Sequence, residues 1–395
     1  MPYSEQVILQ QLGALVSTPS VSSTDPGWDQ GNRAVIDLLA TWLGELGFAT
    51  EIQHVAPDGS KANLIATLGS GPGGLVLAGH TDTVPFDEGR WRSDPLQLVE
   101  RDNRLYGLGS TDMKGFFPLA IAAAGAFVDR PLQQPLIILA TADEESSMNG
   151  ARALVAAGRP RARAAIIGEP TSLVPVRMHK GIVMEAVRVT GQAGHSSDPT
   201  LGNSALEGMY AVMGELLEFR RELQQRYHNA FFKIPYPTLN LGCLHGGDSP
   251  NRICARAELH FDLRMVPGVD NASVVGEIEQ RLAASGRRSG LDIALHPLVE
   301  SVAPFEQSTD SALVRVAERL TGHSAEAVAF ATEAPFLQAL GMETIVMGPG
   351  SIDRAHQPDE YLEMEQIKPC VSLLRQCIAH YCLPQDRHRA VQNSH

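Results

Sequence analysis

Apolar positions recur along the chain in two rhythms, one spaced for helices and one for strands. In "NRAVIDLLATWLGELGF", Val35, Leu38, Leu39, Trp42, Leu43 and Leu46 fall three and four residues apart. That spacing predicts an amphipathic helix stopped at Gly47. Apolar runs at 63–69, 74–80, 136–142 and 164–170 have the length of buried strands. Helical patterns at 115–129 and 149–157 lie among them. Such alternation predicts a layered α/β domain with a mainly parallel, largely buried sheet.

From about residue 181 the rhythm changes. A strand at 183–190 precedes a helix at 203–222, strands at 238–244 and 252–265, a helix at 272–285 and a strand at 291–297. Within 252–265, Ile253, Ala255, Ala257, Leu259, Phe261, Leu263 and Met265 alternate with polar or charged residues and Cys254. Period two over that length means a sheet with one wet face. The order β-α-β-β-α-β predicts an α+β, ferredoxin-like domain at 181–297, inserted into an α/β domain made of 1–180 and 298–395. Beyond the insert, a helix at 309–321, a strand at 327–331, a short helix at 335–340, a strand at 344–350 and a helix at 365–381 restore the first rhythm. The tail "QDRHRAVQNSH" has no apolar pattern and is expected to be loose.

Composition narrows the classes of function. The 395 residues suit two domains, and 44% apolar with 19% charged residues is ordinary for a globular protein. A formal charge of -13 argues against nucleic acid or an anionic membrane as partner. No apolar run reaches the ~18 residues of a membrane span. The opening "MPYSEQVILQQ" lacks a basic region followed by an apolar core, so no signal peptide is expected. Five cysteines without a CxxC pair suit free thiols in a reducing cytoplasm. "GSGPGG" matches a nucleotide loop on paper, but Pro72 interrupts it and a strand follows, leaving no helix N-terminus for a pyrophosphate.

The candidate chemistry sits where strands end. In "LVLAGHTDTVPF" a strand runs out at His80 and Asp82 follows two residues later. A carboxylate there can accept from one imidazole nitrogen and leave the other lone pair for a metal. "GSTDMKG" sets Asp112 in a Gly-bounded loop before a helix, "ATADEESS" sets Glu144 beside Glu145, "AIIGEP" ends in Glu169, and "GPGSIDRAHQPDEYL" carries His356 in a loop. Alone, each is more simply a packed histidine, a helix cap or a solvated acid. Together they occupy one kind of position, the carboxyl ends of α/β strands, where ligands gather. Two histidines with several carboxylates suit zinc. The supply exceeds one tetrahedral ion and fits two ions ~3.5–4 Å apart with a bridging carboxylate. One glutamate of the adjacent pair can then bind metal while its neighbour takes a proton from water. There is no HExxH helix and no GxSxG elbow.

"GHTDTVPF", "GSTDMKG", "ATADEESS", "IGEPTS" and "RAHQPDEYL", in that order, resemble the dinuclear zinc aminoacylase and carboxypeptidase family, over about residues 3–383. The resemblance implies a catalytic and a lid domain and two zinc ions per subunit, with cobalt as a substitute. It makes Asp112 the bridge, with His80 and Glu169 completing one site and Glu145 and His356 the other. Glu144 becomes the general base and Asp82 the partner that orients His80. His195 of "GQAGHSSDP" matches the histidine that relatives send into a partner subunit's site, which implies a homodimer built through the insert. Lys180 and Arg264 match contacts to the substrate carboxylate, with Asn251 and Thr332 close by in the same motifs; charge alone suggests Glu333 for a substrate ammonium. The expected activity is amide hydrolysis of a small N-acylated amino acid. An acetyl, a succinyl and a peptide substrate all stay open, as does a metal-binding relative without catalysis, against which the base Glu144 speaks.

Overall fold

The computed structural model describes residues 4–384, less the side chain of Glu88. The chain forms two compact units. One runs through Arg177 and resumes at Gln307–Glu326 and from Thr332 onward; the other is Met178–Glu306 with Ala327–Ala331. The second unit begins before residue 181 and ends after 297 because Phe305 and Glu306 pair with His179 and Met178, tying its entry to its exit. The tail expected to be loose lies outside the described residues.

The sheet of the first unit is mixed. Its strands lie in the order Ala49–His54, Ala62–Leu68, Leu136–Thr141, Leu75–His80, Ala164–Pro170 and Glu343–Gly348, followed by Val176–His179, within which the chain passes from the first unit to the second. Parallel pairing joins the four strands from Leu136–Thr141 to Glu343–Gly348. The outer pairs are antiparallel, so the sheet is less parallel than the sequence pattern suggests. Ala49–His54 and Ala62–Leu68 are joined by residues 55–61 alone, and so short a connection permits only an antiparallel pair.

The order of the middle strands creates the site. The chain leaves Leu75–His80 for Leu136–Thr141 on one side, then crosses to Ala164–Pro170 on the other. This reversal leaves a crevice beyond the carboxyl end of Leu75–His80. The register sets His80 opposite Thr141 and Ala78 opposite Ile167, so the three strand ends emerge together. Behind them every residue of Phe116–Ala124 is buried, and that helix packs on Ile367–Cys382 and on Glu5–Val16. Cys370, Cys377 and Cys382 belong to this core, and burial pushes the thiols of Cys377 and Cys382 up to about 12.

The second unit is a four-stranded antiparallel sheet in the order Thr238–Gly246, Arg256–Met265, Gly181–Thr190 and Asp292–Pro297, with helices Ala205–Arg226 and Asn271–Ser289. Along Arg256–Met265, Ala257, Leu259, Phe261, Leu263 and Met265 are buried and the residues between them are not. The strand starts at Arg256 rather than 252 because the preceding residues bond elsewhere. Ile253 N donates to Gly194 O, and Cys254 O accepts from Ala205 N.

Glycine is required just ahead of the site at Gly168. A Cβ there would lie inside contact distance of the Phe116 ring. Gly168→Ala is therefore expected to lower stability by about 1–3 kcal/mol, read from urea unfolding.

Candidate metal centre

His80 is almost wholly buried, and its two ring nitrogens face different partners. Nδ1 lies 2.9 Å from the backbone oxygen of Asp82 and 3.7 Å from Asp82 Oδ1. The main chain of Asp82, rather than its carboxylate, makes the short orienting contact. Asp82 Oδ2 instead accepts from the backbone N–H of Glu145 at 3.0 Å, tying the loop of His80 to the glutamate pair. The other nitrogen, Nε2, lies 3.2 Å from Asp112 Oδ1 and 3.8 Å from Glu169 Oε1.

Asp112 stands between two imidazoles. Its Oδ2 is 3.2 Å from His356 Nε2, which also lies 3.0 Å from Glu145 Oε1. The glutamate pair owes its direction to Asp143, which turns the chain at φ 60° as it leaves the strand, while its carbonyl accepts from Ser147 N and Met148 N. The Asp143 carboxylate is held by Lys61 at 2.7 Å and Ser22 at 3.0 Å, so it serves the turn. Single oxygens of Glu144 and Glu169 fall with a His80 nitrogen within 4.8 Å of one another, and so do ligand atoms of His80, Asp112 and Glu145. His80 is common to both groupings, and Glu144 is placed as a donor as well as beside the donors.

The electrostatics fit a missing positive charge. Burial, then the neighbouring Glu169, pushes Glu144 well above the usual carboxylate range; burial does the same to Glu169. Burial brings Asp82 up to about 6. Although burial also opposes its charge, Asp112 is held well below the ordinary range by hydrogen bonds from His356 and His80. Burial disfavours a charged His80, yet the facing Glu169, Asp112 and Asp82 hold its pKa well above normal. His356 is pushed up to about 10 by its bonds to Asp112 and Glu145. Buried Asp82 Oδ1 and Glu169 Oε1 have no hydrogen-bond partner. Crowded carboxylates with orphaned oxygens and imidazole lone pairs are a donor set for divalent cations.

Two supporting residues escape sequence reasoning. Glu360 is 2% exposed, and its carboxylate accepts from three backbone N–H groups of the Asp112 loop: Gly109 at 3.0 Å, Thr111 at 2.8 Å and Asp112 at 2.9 Å. It thus ties that loop to the segment carrying His356. Lys114 is 1% exposed and donates to Leu15 O at 3.1 Å and Thr18 O at 2.8 Å, anchoring the loop to the end of the first helix. A carboxylate four residues after a candidate ligand was the available signal for Glu360; nothing local marks Lys114.

The remaining expected residues are placed as follows. Thr332 is buried and its hydroxyl accepts from Ala334 N. Glu333, expected to face a substrate ammonium, is 1% exposed and accepts from Thr141 Oγ1 at 2.9 Å. Lys180, His195, Asn251 and Arg264 belong to the second unit. Lys180 Nζ donates to Tyr236 O at 2.7 Å, and Arg264 Nε is 3.0 Å from both oxygens of Asp262. His195 and Asn251 lie on loops joined by Ser196 N donating to Asn251 O.

Comparison with known proteins agrees with this geometry. Residues 76–380 match the model of peptidase family M20/M25/M40. The chain belongs to that family. An acetylornithine deacetylase of Pasteurella multocida is 50% identical over 374 residues, 95% of this chain and 98% of its own. Another, of Edwardsiella ictaluri, is 51% identical over 369 residues, 93% and 96% of the two chains. Among solved structures, an M20 metallo-carboxypeptidase of Sulfolobus solfataricus superposes with a TM-score of 0.74 at 19% identity, covering 95% and 99%. A Bacillus cereus aminopeptidase gives 0.72 at 17%, covering 96% and 99%. As an M20 metallo-hydrolase the chain is metal-dependent. No helix among the described residues is long and apolar enough to cross a membrane.

Two outcomes are expected. At neutral pH an ion must displace the His356 proton, so metal loading should release protons and tighten from about pH 6 to about pH 8, as read by calorimetry in buffers of different ionisation heat. Glu360→Gln turns an amide N–H toward a backbone N–H. It should weaken metal affinity about 10–100-fold in a competitive chelator titration and cost about 1–3 kcal/mol of stability.

Proposed function

We propose that this chain removes the acetyl group from N2-acetyl-L-ornithine, releasing acetate and L-ornithine, as a step of arginine biosynthesis in the cytoplasm. One observation carries the reading. Asp112 stands between His80 and His356 beside the Glu144–Glu145 pair, in a chain half identical over nearly its whole length to proteins named acetylornithine deacetylase.

Two zinc ions, with cobalt as a substitute, would supply Lewis acidity toward the amide carbonyl and acidify a water. His80 and Glu169 would hold one, Glu145 and His356 the other, and Asp112 both. Its depressed pKa keeps Asp112 ionised for that role. Glu144 has the opposite bias. A carboxyl whose pKa is raised by burial and by Glu169 can take a proton from water and return it to the leaving amine. Asp82 fixes the His80 ring through its main chain and the glutamate pair through its side chain.

His195 would bind the developing oxyanion in the site of a second subunit, which makes the protein a homodimer through its inserted unit. Its tautomer suits the task. Ser197 N donates to His195 Nδ1 at 3.2 Å, so in the neutral ring the proton sits on Nε2, which is left as a donor. Lys180 and Arg264 would take the substrate carboxylate, with Asn251 and Thr332 beside them. Arg264 is suited to a bidentate pair once it exchanges Asp262 for the substrate.

Turnover of N2-acetyl-L-ornithine, N-succinyl-diaminopimelate, N-acetylcitrulline and a dipeptide should rank the first highest in kcat/KM; faster cleavage of the succinyl compound would overturn the substrate assignment. Glu144→Gln should lose about 10²–10⁴ in kcat while keeping its metal content. His195→Ala should lose about 10²–10³ in kcat. Mixing the two inactive variants should restore activity, since one site of each mixed dimer is then intact; no recovery would place His195 in its own subunit's chemistry.

A further inference from the structure

We propose that the sheet of the second unit carries a separate zinc-type site formed by Cys243, His245, His260 and Glu258. Cys243 and His245 are two residues apart on the edge strand Thr238–Gly246, and Glu258 and His260 are two apart on its neighbour Arg256–Met265. The register sets Cys243 opposite His260 and His245 opposite Glu258. Residues two apart on a strand share a face, and directly opposed residues share it too. All four side chains therefore stand on the face turned away from buried Ala257, Leu259 and Phe261.

The side chains already converge in pairs. Cys243 Sγ is 2.9 Å from His245 Nε2, and His260 Nε2 is 2.7 Å from Glu258 Oε1. The two imidazole centroids are 6.3 Å apart. Rotation of side chains, with the backbone fixed, exchanges these two internal contacts for one shared ion. The Cys243 thiol gives its proton to solvent and binds as thiolate, with imidazole nitrogens from His245 and His260 and Glu258 Oε1 as the fourth donor. Glu258 Oε2 is held at 2.7 Å by Arg188 Nε, which orients the carboxylate and leaves Oε1 for the ion. The residue facing His260 on the third strand is Ala186, whose small side chain leaves room above the sheet. Beside the square lies a hollow of ≈ 640 Å³, lined in part by Arg188, His245 and Glu258.

One thiolate, two imidazoles and one carboxylate suit a borderline-soft divalent ion in a closed tetrahedral shell, which is a structural zinc set. Its place gives it a task. The ladder between these two strands slips between Leu241 and Cys243, so the edge strand is least secured where the ligands stand. An ion would clamp the edge strand to its neighbour over 243–245, immediately beyond that bulge.

Cobalt reads this site apart from the catalytic one, whose candidate ligands include no sulfur. The full-length protein loaded with cobalt should show a thiolate-to-cobalt charge-transfer band in the near ultraviolet. Cys243→Ser should abolish the band, and zinc content after equilibration should fall by one ion per chain relative to wild type, with deacylation unchanged. His260→Ala should do the same while retaining every thiol. Absence of the band in the wild-type protein, or equal zinc content in wild type and both variants, would overturn the proposal.

Discussion

Negative charge crowded into a largely buried crevice is the constraint on which the first unit depends. Asp82, Asp112, Glu144, Glu145 and Glu169 converge on His80 and His356, and carboxylates that close cannot all ionise without cations among them. The cluster persists because its members face imidazoles and because the main chain holds them. Asp82 is fixed by an N–H of the glutamate loop, and Asp112 sits on a loop clasped by Glu360. A set that is poorly neutralised by its own side chains, yet rigidly presented, is poised for divalent ions. Burial opposes ionisation of both Asp112 and Glu144; in Asp112 the bonds from His356 and His80 overcome it, whereas in Glu144 the neighbouring Glu169 adds to it.

Much of this was legible in the sequence because it lies in local pattern. Strand-length apolar runs ending in His80 and Glu169 needed no tertiary knowledge, and neither did the clean alternation of 257–265. What escaped was long-range pairing. Strand direction leaves no local trace, so the antiparallel pairing of Ala62–Leu68 with Leu136–Thr141 could not be read from the pattern. The first helix, Glu5–Val16, and the edge strand Ala49–His54 carried weaker patterns and were missed.

The site was legible in its ligand types but not in its wiring. Asp82 looked like a side-chain partner for His80, whereas its carbonyl makes the short contact. Charge alone suggested Glu333 for a substrate ammonium, and its carboxylate is buried against Thr141. Both details lay beyond the sequence for one reason. Spacing tells which side chains share a side of the sheet, but not which atom of a residue reaches a neighbour, nor how deep it sits. The role of Glu360 was hidden for a related reason: its partners are backbone N–H groups, which every residue but proline possesses.

The topological reversal has a consequence for biogenesis. The candidate donors at positions 80, 112, 145, 169 and 356 span most of the polypeptide, and the last of them follows the whole inserted unit. In the proposed assignment the ligands of one ion, His80, Asp112 and Glu169, all precede the inserted unit, whereas the other ion waits for His356, made after it. Closure of that second site would be a late event, open only to molecules whose translation has passed the inserted unit.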